Sequence, residues 1–268
     1  MEMSHQHTAG ILTLGCKVNQ YESHAMAEAL TRAGVAVRPF SQCCDLYIIN
    51  TCTVTAESDR KARQMIRRAI KQNPAAFVLV CGCGVQHAPQ LAASIEGVDF
   101  ICGTRNKMAV VDRALDLLAR GCKPAKPEIV TESLDGAAFE PMSVSTFDRV
   151  RAFLKIEDGC SGKCAYCIIP RVRGPVSSKH PDDVVREAQT LISSGCREII
   201  LTGIETSAYQ YDLPELLSRI DKIDGIERIR LSSLDPASMK PEFIDRIAAL
   251  THFAPHFHVS LQSGCTRT

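Results

Sequence analysis

No run of about eighteen apolar residues occurs in the 268-residue chain, so no segment reads as a membrane-spanning helix. No apolar signal stretch opens it either, because Met1 to Thr8 is polar and contains histidine. Neither sign of charge prevails: 31 basic and 30 acidic residues leave a formal net charge of +1. A nucleic-acid partner must then be held by a local basic patch, since no overall basic field exists. Sequence repeats and low-complexity tracts are missing as well. Cysteine, by contrast, is plentiful at thirteen residues. Without a secretory signal, that number argues against a disulfide scaffold and for a reducing cytosol where thiols are kept for metals. The length suits about two domains, and 45% apolar content suffices for packed cores.

Three of the thiols fall within one short stretch, Cys160-Ser-Gly-Lys-Cys164-Ala-Tyr166-Cys167. A zinc site normally closes four ligands around its metal, whereas three clustered thiolates suit a 4Fe-4S centre with one iron free to bind a small molecule.

Apolar periodicity divides the rest of the chain. Up to residue 122, strands are expected at Ile11 to Leu14, Leu46 to Asn50, Phe77 to Val80 and Phe100-Ile101. Helices are expected at Glu22 to Ala33, Ala56 to Gln72, near Gln90 and from Lys107 to Arg120. That order is a doubly wound, parallel-sheet α/β domain. Residues 123–146, punctuated by Pro124, Pro127, Gly136 and Pro141, read as a linker. From 147 to 268, strands at Val150 to Glu157, Glu198 to Thr202, Arg228 to Ser232 and Phe257 to Gln262 alternate with helices starting at Pro181, Pro214 and Pro241. Parallel strands alternating with helices imply a β/α barrel or part of one. Alternation sets Arg228, Arg230, Ser232, His258, Ser260 and Gln262 on a polar side, read as facing a ligand chamber or as satisfying one another inside the barrel.

Cys16, Cys52 and Cys83 each follow an expected strand of the first domain, where parallel strands put their loops on one ligand-binding edge. Topology thus allows a second triad of thiols, although ordinary buried cysteines are common in such cores. Arg60, Arg63, Arg67 and Lys71 share one helix face, either a solvated surface or a grip on a phosphate backbone.

The segment Lys155 to Gly174, with Ile-Glu-Asp-Gly-Cys160 and Pro170-Arg-Val-Arg173-Gly174, resembles the cluster loop of radical S-adenosylmethionine (SAM) enzymes, and more narrowly that of the methylthiotransferases. Leu14-Gly15-Cys16-Lys17-Val18-Asn19-Gln20, Asn50-Thr51-Cys52-Thr53-Val54-Thr55 and Gly82-Cys83-Gly84-Val85-Gln86 resemble the three cluster-binding segments of that family's N-terminal domain. The third match is looser, with Cys81 as a rival thiol. The resemblance covers essentially the whole chain. It implies a doubly wound domain followed by an incomplete radical SAM barrel with an unprotected edge, the family continuing with more barrel and a small RNA-binding domain. It also implies two 4Fe-4S clusters, one on Cys160, Cys164 and Cys167 and an auxiliary one on Cys16, Cys52 and Cys83. Tyr166 is implied near the SAM adenine, Glu205 and Ser232 as further SAM contacts, and Asn19 and Arg173 as substrate or phosphate contacts.

In the family's chemistry the first cluster cleaves SAM to a 5′-deoxyadenosyl radical, and the second holds the inserted sulfur, so that a carbon-hydrogen bond becomes a methylthio group. Cys16-Lys17-Val18-Asn19-Gln20-Tyr21-Glu22 resembles most the subgroup that modifies C2 of N6-threonylcarbamoyladenosine 37 in tRNA. The subgroups acting on isopentenyladenosine 37 or on a ribosomal protein carry other residues there. A cytoplasmic enzyme served by an electron donor protein, with no membrane partner, follows from this reading. A non-catalytic iron-sulfur electron carrier and a zinc-stabilised RNA-binding module are the readings of another class.

Overall fold

Leu46 to Thr51 and Phe77 to Gly82 are buried at every residue, a pattern that only central strands of a parallel sheet covered on both faces require. The computed structural model that shows this describes residues 6–53, 55–136, 138–147 and 150–267. Val54 of the Thr53-Val54-Thr55 segment and residues 1–5 of the polar N-terminus lie outside the described residues, as do Ala137, Asp148, Arg149 and Thr268.

Two compact units are present: Met1–Asp135 with Lys163–Arg173, and Gly136–Gly162 with Gly174–Thr268. In the first, the chain order is β1 (Thr8–Thr13), α1 (Lys17–Arg32), β2 (Ala36–Arg38), β3 (Leu46–Thr51), α2 (Ala56–Gln72), β4 (Phe77–Gly82), α3 (Cys83–His87), α4 (Pro89–Ala93), β5 (Phe100–Cys102), α5 (Met108–Arg120) and β6 (Glu128–Val130). All pairings are parallel and the strand order is β2-β1-β3-β4-β5-β6. The order reverses between β1 and β3, the switch point where open α/β sheets form their ligand crevice. Helices α1 and α5 cover one face. On the other, Ile66 and Ala69 of α2 and Ala92 of α4 pack with Tyr47, Ile49, Val78, Val80 and Ile101.

Three features differ from the sequence expectation. Helix α1 starts at Lys17 instead of Glu22, because Val18 and Tyr21 already belong to its buried face while Asn19 and Glu22 are buried polar residues that blur the pattern. The edge strands β2 and β6, three residues each, are too short to show a period. β6 falls within 123–146, so part of the expected linker is the sixth strand of the sheet.

The second unit holds β7 (Arg151–Lys155), β8 (Glu157–Asp158), β9 (Ser177–Ser178), α7 (Pro181–Ser193), β10 (Glu198–Thr202), α8 (Leu213–Asp221), β11 (Arg228–Leu231), β12 (Ser233–Leu234), α9 (Pro241–Ala248) and β13 (His258–Val259), with α6 (Ile169–Arg173) intervening in the chain but packing in the first unit. β11-β10-β7 is a parallel sheet, β12 pairs with β13 in parallel, and β8 pairs with β9 antiparallel. Ala152, Leu154, Ile199, Leu201, Ile229 and Leu231 form its buried apolar side.

The opposite side departs from an open polar chamber. Arg151, Arg228 and Arg230 all reach the Glu198 carboxylate, at 3.0, 3.4 and 2.8 Å, so at this level the polar residues satisfy one another. The fourth expected strand shrinks to His258–Val259, and Val259 and Leu261, expected to be covered, are exposed.

Candidate metal and cofactor site

Cys16 is the N-cap of α1, Cys52 follows the last residue of β3, and Cys83 opens α3 directly after β4. All three therefore stand at the C-terminal edge of adjacent strands, two of them beside the β1/β3 switch point. Their loops touch through backbone that glycine alone permits. A Cβ on Gly15 would lie 2.8 Å from Cys52 Cβ and 2.9 Å from its Sγ. Gly82 has a φ of +104°, and a Cβ there would lie 2.5 Å from the Thr51 carbonyl oxygen and 2.6 Å from Asn50 Oδ1. Asn19 Nδ2 then clamps two of the loops, donating to the carbonyls of Leu14 and Thr51 at 2.9 Å each.

The thiols are free, Cys16 exposed and Cys52 and Cys83 buried. Among the described residues no three His, Cys, Asp or Glu side chains are drawn into a cage that would hold a metal ion. The fit to a thiolate-held group is thus one of donor type and of shared edge, with side-chain rotation left to close the shell. Cys16 sits where the α1 dipole favours an anion. The rival Cys81 lies inside the sheet, opposite Asn50 and Cys102, rather than on its edge.

Behind the Cys83 loop is a buried ionic network. Glu22 Oε2 accepts from Lys107 Nζ at 2.5 Å, and its Oε1 from Arg173 Nη1 at 2.6 Å. Lys107 also donates to Asn50 Oδ1 at 3.1 Å. Burial pulls its ammonium down, but the Glu22 carboxylate and Cys81 together hold it above the ordinary lysine range. Arg173 Nη2 donates to Asn19 Oδ1 at 2.5 Å and Nε to Cys83 Sγ at 3.2 Å. Burial pushes the Cys83 thiol up, while Arg173 and Lys107 pull against it. Expected as substrate contacts, Asn19 and Arg173 are instead buried and bonded to each other, with no face turned to solvent.

In the cysteine stretch, Cys167 N–H donates to the Cys164 carbonyl at 3.1 Å and closes a turn that leaves Tyr166 78% exposed, an open aromatic face. Cys164 is exposed and Cys167 half-buried. Cys160, in the second unit, is half-buried; its N–H donates to the Gly174 carbonyl at 3.0 Å and its Sγ accepts from Gly162 N–H at 3.3 Å.

At the C-terminal edge of the second unit's sheet, Glu157 Oε2 accepts from Glu205 N–H at 2.8 Å, which fixes the Gly203-Ile204-Glu205 turn. The Glu205 carboxylate caps Ser207 N–H at 3.3 Å. Ser232 is buried, its N–H donating to the Leu201 carbonyl at 2.9 Å. Glu157 Oε1, Thr202 Oγ1 and Thr206 Oγ1 are buried and have no hydrogen-bond partner, a state that ordinarily marks the place of a ligand or water. Burial, opposed by the Glu205 N–H, pushes the Glu157 carboxyl up to about 8. Beside it Lys155 and Asp158 form a buried pair at 2.6 Å.

Comparison with known proteins bears on both units. Residues 8–103 match the family described as Uncharacterized protein family UPF0004, and residues 154–267 match the Radical SAM superfamily. A Bacillus subtilis (strain 168) protein named threonylcarbamoyladenosine tRNA methylthiotransferase MtaB is 39% identical over 265 residues, which cover 96% of this chain and 58% of that protein. Its namesake from Aquifex aeolicus (strain VF5) is 37% identical over 259 residues, covering 95% of this chain and 63% of that one. The chain thus joins a UPF0004 match to a Radical SAM match and is similar to tRNA methylthiotransferases over nearly all of its length. It spans about six tenths of the length of these relatives. The structure of TsrM from Kitasatospora setae, titled a radical S-adenosylmethionine methyltransferase with cobalamin and a 4Fe-4S cluster bound, superposes with a TM-score of 0.64 at 17% identity, covering 92% of this chain and 59% of that one. That likeness is one of fold.

Five residues have no site role in the sequence reading: Glu22, Lys107, Glu157, Thr202 and Thr206. Glu22 and Glu157 stand inside the quoted cysteine segments, Glu157 as an acid closing an apolar strand three residues before Cys160. The others acquire partners, or lack them, only through distant parts of the chain.

Proposed function

We propose that the chain is the catalytic part of a tRNA methylthiotransferase that inserts sulfur and methyl at C2 of N6-threonylcarbamoyladenosine 37. The observation that carries the reading is the meeting of the Cys16, Cys52 and Cys83 loops at one sheet edge, beside the switch point of the first unit. Cys160, Cys164 and Cys167 would hold one 4Fe-4S cluster and Cys16, Cys52 and Cys83 another; when bound, these groups supply the one-electron chemistry and the sulfur-binding position that side chains lack.

The chain's own residues bind and orient. The exposed ring of Tyr166 offers a stacking face to the adenine of SAM. Glu205, on a turn held by Glu157, and the buried Ser232 would contact SAM from the strand ends. The unpartnered oxygens of Glu157, Thr202 and Thr206 provide hydrogen-bonding capacity for a polar cofactor. On α2, Arg67 and Lys71 are exposed and free to meet RNA phosphates, while Arg60 is held by Glu57 at 2.6 Å. An electron donor protein and a cytoplasmic setting follow from this chemistry. Among the described residues no helix is long and apolar enough to cross a membrane.

The test is anaerobic reconstitution with iron and sulfide. We expect about eight iron atoms per chain, falling to about four in the Cys160→Ala, Cys164→Ala, Cys167→Ala variant, as two cubanes require. About four iron atoms in the unaltered chain, the content of one cubane, would remove the auxiliary site. Nucleoside mass analysis of tRNA incubated with the reconstituted chain then tests the substrate: the methylthio product must appear on threonylcarbamoyladenosine and not on isopentenyladenosine.

A further inference from the structure

Arg173 ends α6, six residues after Cys167, and is fully buried in the first unit. Its backbone is fixed as firmly as its side chain. The Arg173 carbonyl accepts from Arg105 Nη2 at 2.9 Å, and the neighbouring Val172 carbonyl accepts from Thr104 Oγ1 at 2.5 Å. The guanidinium fork reaches Glu22 at 2.6 Å, Asn19 at 2.5 Å and, through Nε, the Cys83 sulfur at 3.2 Å. Lys107 takes the other oxygen of Glu22 at 2.5 Å.

Glu22 lies between two cations, Lys107 and Arg173, with all three side chains at 0% exposure. The sulfur of Cys83 lies against the guanidinium edge that Glu22 does not use, so a charged donor is held on that sulfur. Hydrogen bonds from charged donors to ligand sulfurs stabilise the reduced, more negative state of an iron-sulfur group and so raise its potential.

We propose that Arg173 is a positioning residue for the auxiliary cluster: its Nε–H donates to the Cys83 sulfur, orients that ligand and raises the cluster's reduction potential, in place of any contact with substrate phosphate. This rests on the reading of Cys83 as a cluster ligand. It ties the chain that carries Cys164 and Cys167 to the sulfur of the other triad through one side chain.

The test uses the full chain in the Cys160→Ala, Cys164→Ala, Cys167→Ala background, so that only the auxiliary cluster remains, reconstituted anaerobically. Iron per chain, the electron paramagnetic resonance signal and the midpoint potential are read for Arg173, Arg173→Lys and Arg173→Met. Glu22 keeps Lys107 as a partner in both variants, so the apoprotein should still melt cooperatively. We expect about four iron atoms, one cubane, to be retained. In Arg173→Met the one-electron reduction equilibrium should become at least tenfold less favourable, a change of about 59 mV to more negative potential. Arg173→Lys should fall between, since an ammonium keeps the charge and loses the fork. An unchanged midpoint with iron retained in Arg173→Met overturns the proposal. Separately, Cys83→Ala in the same background must lose the cluster; if its iron content is unchanged, the ligand reading fails instead.

Discussion

The side-chain amide of Asn19 and the backbone carbonyl of Thr51, 32 residues apart, are joined at 2.9 Å inside the first unit. The same amide holds the Leu14 carbonyl, so a single residue of α1 keeps the Cys16 and Cys52 loops together. Asn19→Ala should leave both carbonyls buried without a donor and lower stability by about 2–3 kcal/mol. Urea unfolding of the apoprotein measures it. Iron retained on reconstitution should fall with it, and full iron binding in Asn19→Ala would mean that the loops do not need the clamp.

A methyl group at position 82 has nowhere to go. It would meet the carbonyl oxygen and amide nitrogen of Thr51 and Asn50 Oδ1 within 3 Å, at a φ of +104°. All of these atoms but one belong to backbone held in the β3–β4 ladder. Gly82→Ala should therefore cost more than about 3 kcal/mol, strain and steric displacement together. A chemical melt within about 1 kcal/mol of wild type, the range of an ordinary substitution, would contradict the close approach on which the site's assembly depends.

How much of the fold and site was legible in the sequence depended on the distance over which each feature is encoded. The cysteine triad at 160 to 167 was legible because its ligands are local, and the strand at Glu198–Thr202 because an apolar run is bounded by a helix end and a turn. The start of α1 was not. Asn19 and Glu22 look like exposed positions, and their burial is made tolerable by Lys107 and Arg173, 85 and 151 residues from Glu22. The same non-local pairing turned Arg173 from an expected phosphate contact into a core residue. Glu198 likewise collects three arginines from neighbouring strands, which alternation alone reads as an open polar face.

The ionic network behind Cys83 makes an asymmetric prediction. Glu22→Gln removes the carboxylate that lies between Lys107 and Arg173, leaving two buried cations in mutual repulsion. It should destabilise the first unit by about 3–5 kcal/mol, the cost of breaking a buried pair from one side. Lys107→Met should cost clearly less, because Glu22 keeps Arg173 at 2.6 Å and the network becomes neutral. Thermal melts of the two apoproteins test the order; equal losses would show that charge balance is not what holds these residues.

Glu157 should make the second unit sensitive to pH in a direction opposite to that of most carboxylates. Burial raises its folded pKa to about 8, against an ordinary value of 4.5, so the folded chain binds its proton where the unfolded chain has released it. The stability contributed by that proton is complete below the unfolded pKa and is lost as pH rises through about 8. With each pH unit between the two pKa values worth about 1.4 kcal/mol, the loss is on the order of 5 kcal/mol. Glu157→Gln keeps an oxygen to accept the Glu205 N–H and cannot ionise, so it should remove this dependence. The difference in unfolding free energy between wild type and Glu157→Gln should thus move steadily against the wild type as pH rises from 4.5 to about 8, the interval between the unfolded and folded pKa. A difference that stays flat across that interval would mean that the carboxyl is solvated, and that the unpartnered oxygen beside Thr202 and Thr206 is satisfied by water rather than kept for a cofactor.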